Sequence, residues 1–295
     1  MSQQPDSTLK DKVVAYYDQE SARYGELYTA PLDAQEFYPA NAVRFEIIFD
    51  RLKEIGAKRV LDIGCGSGQP LLRLLREGFD ARGFDFSSGM VESARVTLQK
   101  GDQDPERVTC ADLEKGSTLP AGPFDAIVAT GVFPHNLDDF AAYSNLRTLL
   151  APGGRAFVEY RNALMSLFSL NLYCAPFFWE TLIRGDDLPP TLREETRAFL
   201  AKQFDTPVES LGRRRDIEFS DILARFHNPL TLPTEIAPHG IKISRLHYYH
   251  WHAAPPHIEK NHRDEFWAAS LKLERSGDWR GMFLCSAFVA EIVRS

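Results

Sequence analysis

The residues with the clearest chemical meaning lie at 60–70, where Gly64, Gly66 and Gly68 alternate with other residues. The apolar residues before the glycines predict a short strand, and the leucine-rich run at 71–75 predicts a helix after them. Glycine at alternate positions allows a sharp turn and lets a ligand lie directly on main-chain atoms. A strand, a glycine-rich turn and a helix in this order are typical of nucleotide-binding α/β sheets.

Two departures from the dinucleotide-binding pattern indicate the kind of ligand. That pattern has a glycine at its sixth position, where this chain has Gln69. It also places an anionic pyrophosphate at the helix N-terminus, and Asp62, two residues before the first glycine, would repel it. An acid at this position suits a cationic ligand such as S-adenosylmethionine, which carries an ammonium and a sulfonium. A nicotinamide oxidoreductase is therefore disfavoured.

A second acid lies at the spacing expected for ribose recognition. Asp85 follows Asp62 by 23 residues, close to the separation of about 20 residues to the acid that ends the second strand. A carboxylate there can accept hydrogen bonds from both ribose hydroxyls. Phe86 can lie along the adenine ring, and Ser87 or Ser88 can cap the next helix. An ordinary solvated acid in a turn is the alternative, which the spacing disfavours.

The segment 61–68 resembles the glycine-rich motif of the class I S-adenosylmethionine-dependent methyltransferases, and the similarity covers about residues 50–162 and the closing strands. The resemblance implies that the glycine turn holds the cofactor. It also implies that Asp112 hydrogen-bonds the adenine amino group, that Leu113 contacts the ring, and that Thr130 contacts the methionine part. Four motifs occur in the family's order with workable crossover lengths, which disfavours coincidence.

The N-terminal region is rich in aromatic residues, including Tyr17 and Tyr24. In related enzymes a similar N-terminal helix folds over the cofactor, and the resemblance extends this role to these two tyrosines. Packing of aromatic rings from an N-terminal helix on the core is the alternative.

The predicted elements indicate the architecture. The run at 126–129 is apolar throughout, as expected for a strand buried on both faces. The resemblance implies an α/β fold with a Rossmann-like, seven-stranded, mostly parallel sheet, helices on both faces, and a mainly helical insertion between strands 5 and 6. The four predicted regions are an N-terminal helical cap at 1–51, a cofactor-binding core at 52–162, a helical insertion or acceptor lid at 163–239, and C-terminal strands at 240–295.

Histidines are the candidates for proton transfer. A hydroxyl acceptor must lose its proton during methyl transfer, and a histidine with a pKa near 7 is suited to take it. His135 follows the fourth strand on the acceptor side, and helix capping is its alternative role. His250 and His252 would share one face of a late strand, where they could orient or deprotonate the acceptor or line a polar pocket. Because a metal needs a third ligand, we predict no metal site.

Composition restricts the class of partner. The 295-residue chain has a formal net charge of −7 and a pI of about 5.7, which disfavours binding to nucleic acid phosphates. A basic run at 213–215 is followed by acids, and we interpret it as a solvated or substrate-facing turn. The four cysteines have no paired or metal-ligand spacing, and the polar N-terminus has no signal-peptide core. We therefore expect a cytoplasmic protein.

The uncharged segment at 163–179 raises the question of a membrane. It is short for a span of about 20 residues, and polar residues interrupt it. We interpret it as a buried or lid-forming helix beside the acceptor. Docking on a membrane to reach a lipid-linked substrate is the alternative, which we disfavour.

These patterns predict an S-adenosylmethionine-dependent methyltransferase that transfers a methyl group in line to a small-molecule acceptor, by O- or N-methylation. A sugar or an intermediate of secondary metabolism would suit the enlarged insertion. A protein that binds the cofactor without catalysis, and a methyltransferase of a lipid-linked or macromolecular substrate, stay open as alternatives. The residues do not identify the acceptor, and they leave a homodimer open.

Overall fold

The computed structural model describes residues 12–13, 15–17, 38–169, 174–203 and 225–295. Three of the predicted features lie outside these residues. They are Tyr24, residues 204–224 of the insertion, and the basic run at 213–215 within those residues.

A central β-sheet organises the molecule. Its strands are β1 Arg59–Ile63, β2 Asp80–Asp85, β3 Val108–Cys110, β4 Phe124–Ala129, β5 Leu150–Asn162, β6 Phe226–His227, β7 Ile241–Trp251 and β8 Cys285–Arg294. They are arranged in the order β3-β2-β1-β4-β5-β8-β7, and β6 pairs with β5 outside that order. The strands β1 to β6 pair in parallel, whereas β8 is antiparallel to both β5 and β7.

This arrangement confirms the predicted α/β class, with its mostly parallel sheet. Among the described residues the sheet has eight strands, where the sequence predicted seven. The extra strand is the two-residue β6, which pairs with Arg161 and Asn162 at the end of β5. Two residues are too few to show an alternating pattern, so only the contact with β5 reveals this strand.

Helices connect the strands and lie on both faces of the sheet. The α-helices are α1 Ala40–Glu54, α2 Gln69–Arg76, α3 Ser88–Lys100, α4 Asp139–Leu149, α5 Ser166–Ser169, α6 Cys174–Pro176, α7 Pro190–Gln203, α8 Leu232–Ile236, α9 Arg263–Leu273 and α10 Gly281–Leu284. Short 3₁₀ helices lie at Pro105–Arg107, Gly116–Thr118, Phe133–His135, Ala163–Met165, Gly185–Asp187, Ala237–His239 and Pro256–Asn261, and a π-helix lies at Phe177–Ile183. Ser87 caps α3, as predicted, by accepting a hydrogen bond from the Met90 N–H at 3.0 Å.

The two faces of the sheet carry separate apolar cores because successive strand residues point to opposite sides. Leu61 and Ile127 belong to the core on the face of α4 and α8, which contribute Leu146 and Ile236. Val60 and Val128 belong to the other core, which includes buried residues of α1, α2 and α3. Full burial of each such side chain contributes about 1.5–3 kcal/mol, so both faces stabilise the sheet.

The described part of the insertion lies over the end of β5. Ala163, Leu164 and Phe177 form a buried cluster, and Met282 and Phe283 of α10 pack against it. Because β8 runs antiparallel to β5, its start and the preceding α10 lie at the same sheet edge as the end of β5. In the parts of the chain that the structure describes, every helix is too short or too polar to cross a membrane.

A buried ion cluster joins α1 to the sheet. The Glu291 carboxylate on β8 accepts hydrogen bonds from Arg51 Nε at 2.6 Å and Nη2 at 3.1 Å, and from Arg155 Nη1 at 3.4 Å. It also lies 2.6 Å from His247 Nε2. Burial would raise the pKa of Glu291, but the hydrogen bonds with His247 and Arg51 outweigh it and lower that pKa to about 2.

We expect Glu291→Gln to lower the free energy of unfolding by about 3 kcal/mol at neutral pH, because the two arginines lose their buried counter-charge. The lowered pKa of Glu291 means that the stabilisation is present above about pH 4.5 and is lost as the pH falls through about 2. Urea unfolding at several pH values measures both effects. Glu46→Gln is the control, since Glu46 forms an exposed pair with Arg73 and should change stability by less than about 1 kcal/mol. Equal losses in the two variants would contradict the prediction.

Candidate functional site

A cavity lies at the carboxyl ends of β1 to β4, the edge where parallel α/β sheets bind ligands. It encloses about 900 Å³, a figure that includes its opening to solvent. The structure brings ten of the predicted site residues to its wall. These are Tyr17, Asp62, Gly64, Gly66, Asp85, Phe86, Asp112, Leu113, Thr130 and His135.

The glycine turn requires residues without a side chain at two positions. Gly64 has φ +66°, and a Cβ on it would lie 2.5 Å from Val132 Cγ2. Gly68 has φ +81°, and a Cβ on it would lie 2.9 Å from the Cα of Ala94 in α3. Both positions combine a left-handed backbone with a close approach, so a larger residue would displace the turn. Gly68 stands outside the cavity wall and holds the start of α2 against α3.

Asp85 ends β2 and fastens the glycine turn to it. Its Oδ2 accepts a hydrogen bond from the Gly66 N–H at 3.0 Å, and its Oδ1 accepts one from the Ser87 N–H at 2.9 Å. The side chain is buried and also lines the cavity. A carboxylate has lone pairs beyond these two bonds, so it can still accept hydrogen bonds from a ligand.

We expect Asp85→Ala to raise the Kd for S-adenosylhomocysteine by at least about 10-fold, because each lost hydrogen bond to the charged carboxylate contributes about 1.5–3 kcal/mol. Calorimetry gives the Kd, and the melting temperature shows whether the fold is retained. Asp80→Ala is the matched control, because Asp80 begins the same strand and pairs with Arg107 at 2.8 Å, away from the cavity. An unchanged Kd in a folded Asp85→Ala variant would remove Asp85 from the site.

Asp62 is a buried acid in the wall of the cavity whose charge Arg44 only partly balances. Its side chain is 2% exposed, and within the described chain its Oδ2 has no hydrogen-bond partner. Burial, followed by the negative charge of Asp85, raises the pKa of Asp62 to about 8, and Arg44 only partly opposes this. Because burial and Asp85 disfavour the ionised form of Asp62, a cationic group beside it would stabilise that carboxylate.

A hydrogen-bond network that the sequence did not reveal holds the turn after β4, where Gly131 lines the cavity. Glu159 of β5 accepts hydrogen bonds from Arg44 Nη1 at 2.6 Å, from the Tyr249 hydroxyl at 2.5 Å and from the Gly131 N–H at 2.7 Å. Burial would raise the pKa of Glu159, but the positive charge of Arg44 and these hydrogen bonds hold that pKa below its ordinary value. The charged carboxylate therefore fixes the turn after β4. The sequence gives one sign of this network, which is the position of Arg44 among apolar residues of α1.

His135 and Tyr17 meet in the wall of the cavity. His135 ends the 3₁₀ helix Phe133–His135, and its Nε2 lies 3.0 Å from the Tyr17 hydroxyl oxygen. The Tyr17 ring also contacts Phe86 edge to face, with 6.2 Å between ring centroids. Tyr17 thus contacts both Phe86, which the resemblance places along the adenine ring, and the candidate base His135.

Comparison with known proteins decides the family. A model of the methyltransferase domain matches residues 60–154. A ubiquinone biosynthesis O-methyltransferase of Xanthomonas oryzae pv. oryzae (strain PXO99A) is 30% identical over 192 residues, which are 64% of this chain and 74% of that relative. The chain belongs to the class I S-adenosylmethionine-dependent methyltransferase family. The resemblance inferred from the glycine-rich motif is therefore confirmed.

Other methyltransferases of the family match over different lengths. The ubiquinone biosynthesis O-methyltransferase of Xanthomonas axonopodis pv. citri (strain 306) is 33% identical over 146 residues, 49% of this chain, and the match spans 60% of that relative's length. Magnesium protoporphyrin IX methyltransferase from Synechocystis PCC 6803, solved with bound SAH, has 17% identity and a TM-score of 0.56. That comparison covers 97% of this chain and 100% of the other, and it supports the methyltransferase fold.

The structure does not bring His250 and His252 to the methyltransferase cavity. They lie at the end of β7, which β5 and β8 separate from β4. Their rings are 4.7 Å apart, and His250 adopts φ +58° and stacks on Tyr38. Burial, followed by the charge of His252, lowers the pKa of His250 to about 3. Their catalytic role stays a prediction. Among the described residues, no group of three or more candidate ligands could hold a metal ion.

Proposed function

We propose that this chain binds S-adenosylmethionine in the cavity and transfers its methyl group to a hydroxyl of a small molecule. One observation carries the proposal: the buried carboxyl group of Asp62, one oxygen of which has no hydrogen-bond partner among the described residues, lies beside a glycine turn at the carboxyl edge of the sheet. The ammonium of the cofactor would pair with this carboxylate, and an anionic pyrophosphate would be repelled.

The remaining wall residues suit the other parts of the cofactor. Asp85 would accept hydrogen bonds from the ribose hydroxyls, and Asp112 would accept one from the adenine amino group. Phe86 and Leu113 line the same cavity and supply apolar surface for the ring. Thr130, after β4, would contact the methionine part, beside the turn that Glu159 holds through Gly131.

The bound cofactor would supply an electrophilic methyl group, with the electron pair of the broken C–S bond staying on sulfur. His135 would take the proton of the acceptor hydroxyl as the oxygen forms its new bond to carbon. Tyr17 would hold the imidazole by accepting a hydrogen bond from Nε2–H, so that Nδ1 would be the nitrogen that takes the proton. The cavity walls would keep both reactants aligned, and alignment of this kind lowers barriers by up to about 7–11 kcal/mol in the best cases.

The choice of an oxygen acceptor rests on the relatives. Two matching proteins are named ubiquinone biosynthesis O-methyltransferase, with 60% and 74% of their lengths matched. A histidine in the cavity wall, His135, supports the same choice, because a hydroxyl must lose its proton to a base whereas a neutral amine can attack directly. The insertion at the end of β5 would contribute apolar surface to the acceptor side.

Calorimetry followed by a transfer assay tests the proposal. The protein should bind S-adenosylmethionine and S-adenosylhomocysteine but not NAD. With S-adenosyl-[methyl-³H]methionine, label should pass to a hydroxyl probe such as 3,4-dihydroxybenzoate in preference to the amine probe 4-aminobenzoate. Binding of NAD alone would overturn the proposed cofactor. Cofactor binding with transfer only to the amine would overturn the oxygen acceptor, and binding without transfer to any acceptor would favour the non-catalytic alternative.

A further inference from the structure

Arg225 and the two-residue strand β6 lie within the insertion, at a point where the chain touches the sheet. Phe226 and His227 pair in parallel with Arg161 and Asn162 at the end of β5. This short pairing places Arg225, the residue just before it, beside the loop that follows β4.

Arg225 contacts the 3₁₀ helix that ends with His135 at successive residues. The Arg225 N–H donates a hydrogen bond to the Pro134 carbonyl oxygen at 2.9 Å. Its Nη2 donates to the Phe133 carbonyl oxygen at 3.4 Å and pairs with the Asp139 carboxylate at the start of α4. The Arg225 side chain is only 19% exposed, so these bonds are largely shielded from water.

We propose that Arg225 is a positioning residue that sets the orientation of the His135 imidazole. This inference rests on the proposed role of His135 as the base. Arg225 would act through the helix backbone and would not touch the acceptor.

The helix Phe133–His135 has little stability of its own, so contacts with other parts of the chain can determine its position. Helix Phe133–His135 spans three residues, and its backbone hydrogen bond from the His135 N–H to the Val132 carbonyl, at 3.0 Å, closes one turn. Such a turn has poor hydrogen-bond geometry and little rigidity of its own. Arg225 bonds the carbonyl groups of the first two helix residues, Phe133 and Pro134, and Tyr17 contacts the ring of the third, His135.

A misplacement of about 1 Å in a reacting group can lower the rate by about 100-fold. A small displacement of the Phe133 and Pro134 backbone, carried to the adjacent His135, would therefore be enough to impair proton transfer.

Arg225→Met in the full chain tests the proposal. Methionine keeps the backbone bond to Pro134 and much of the apolar stem, but it removes the contacts with Phe133 and Asp139. In the complex with S-adenosylhomocysteine, we expect the imidazole ¹⁵N resonances of His135 to move, while the Kd for this ligand stays within about twofold. Methyl transfer to 3,4-dihydroxybenzoate should fall about 10- to 100-fold in kcat, with the KM for S-adenosylmethionine unchanged.

Two further variants separate positioning from a loss of stability. Asp139→Asn removes the charge that pairs with Arg225 and should move the His135 resonances in the same direction by less. Arg280→Met, at an exposed arginine paired with Asp278, is the matched control and should leave them in place. Unmoved His135 resonances in both Arg225→Met and Asp139→Asn would overturn the inference. Because these resonances can also be recorded without ligand, failure of wild-type protein to bind S-adenosylhomocysteine would overturn the proposed function separately.

Discussion

Replacement of His135 by alanine is expected to lower turnover with a hydroxyl acceptor by about 10²- to 10⁴-fold, the range that a positioned general base contributes. The affinity for S-adenosylmethionine should change by no more than a few-fold, because the floor of the cavity around Asp62 and Asp85 is untouched. Steady-state kinetics with the tritiated cofactor gives kcat, and calorimetry gives the Kd.

The pH dependence makes this prediction more specific. The deficit of His135→Ala should shrink as the pH rises, because a hydroxyl acceptor that ionises in solution no longer needs the base. His239→Ala is the matched control, since His239 lies 3.2 Å from the Ser144 hydroxyl and packs against Phe140, outside the cavity wall. A deficit that appears mainly in cofactor affinity, or one shared by His239→Ala, would remove His135 from the role of base.

Asp62→Asn is expected to raise the Kd for S-adenosylmethionine by about 10- to 100-fold at pH 8, since a charge-assisted hydrogen bond contributes about 1.5–3 kcal/mol. In the free protein the pKa of Asp62 is about 8, so the carboxyl group is mostly protonated at lower pH. A bound ammonium favours the ionised form and lowers this pKa. Wild-type affinity should therefore rise as the pH increases towards 8, with release of a proton on binding.

Calorimetry at pH 7 in two buffers of different ionisation enthalpy measures the released proton, and a series of Kd values from pH 6 to 9 measures the slope. Asp62→Asn should abolish both signals. Asp125→Asn is the control, because Asp125 accepts hydrogen bonds from the Lys58 and Arg59 N–H groups at the opposite end of β1. An affinity that does not depend on pH, or on the residue at position 62, would contradict the role given to this carboxylate.

The sequence by itself determined the class of fold and the turn on which the site is built. The apolar run of β4 and the glycines at 64, 66 and 68 predict their local structure because each signal lies within one element. The cap at Ser87 is equally local, since its partner Met90 is three residues away. The spacing from Asp62 to Asp85 places both acids correctly at one sheet edge, because parallel strands joined by right-handed crossovers end on the same side.

Tertiary structure alone decided which distant residues meet. Arg44 and Tyr249 reach Glu159 across 115 and 90 residues of chain, and Tyr17 reaches His135 across 118. Such pairs depend on the strand order, which places β7 one strand away from β5, across β8, and no local pattern encodes that order. For the same reason the sequence grouped His250 and His252 with His135, although two intervening strands keep β7 away from β4. Alternation along a strand determines which residues share a face, but only the position of that strand in the sheet determines what the face meets.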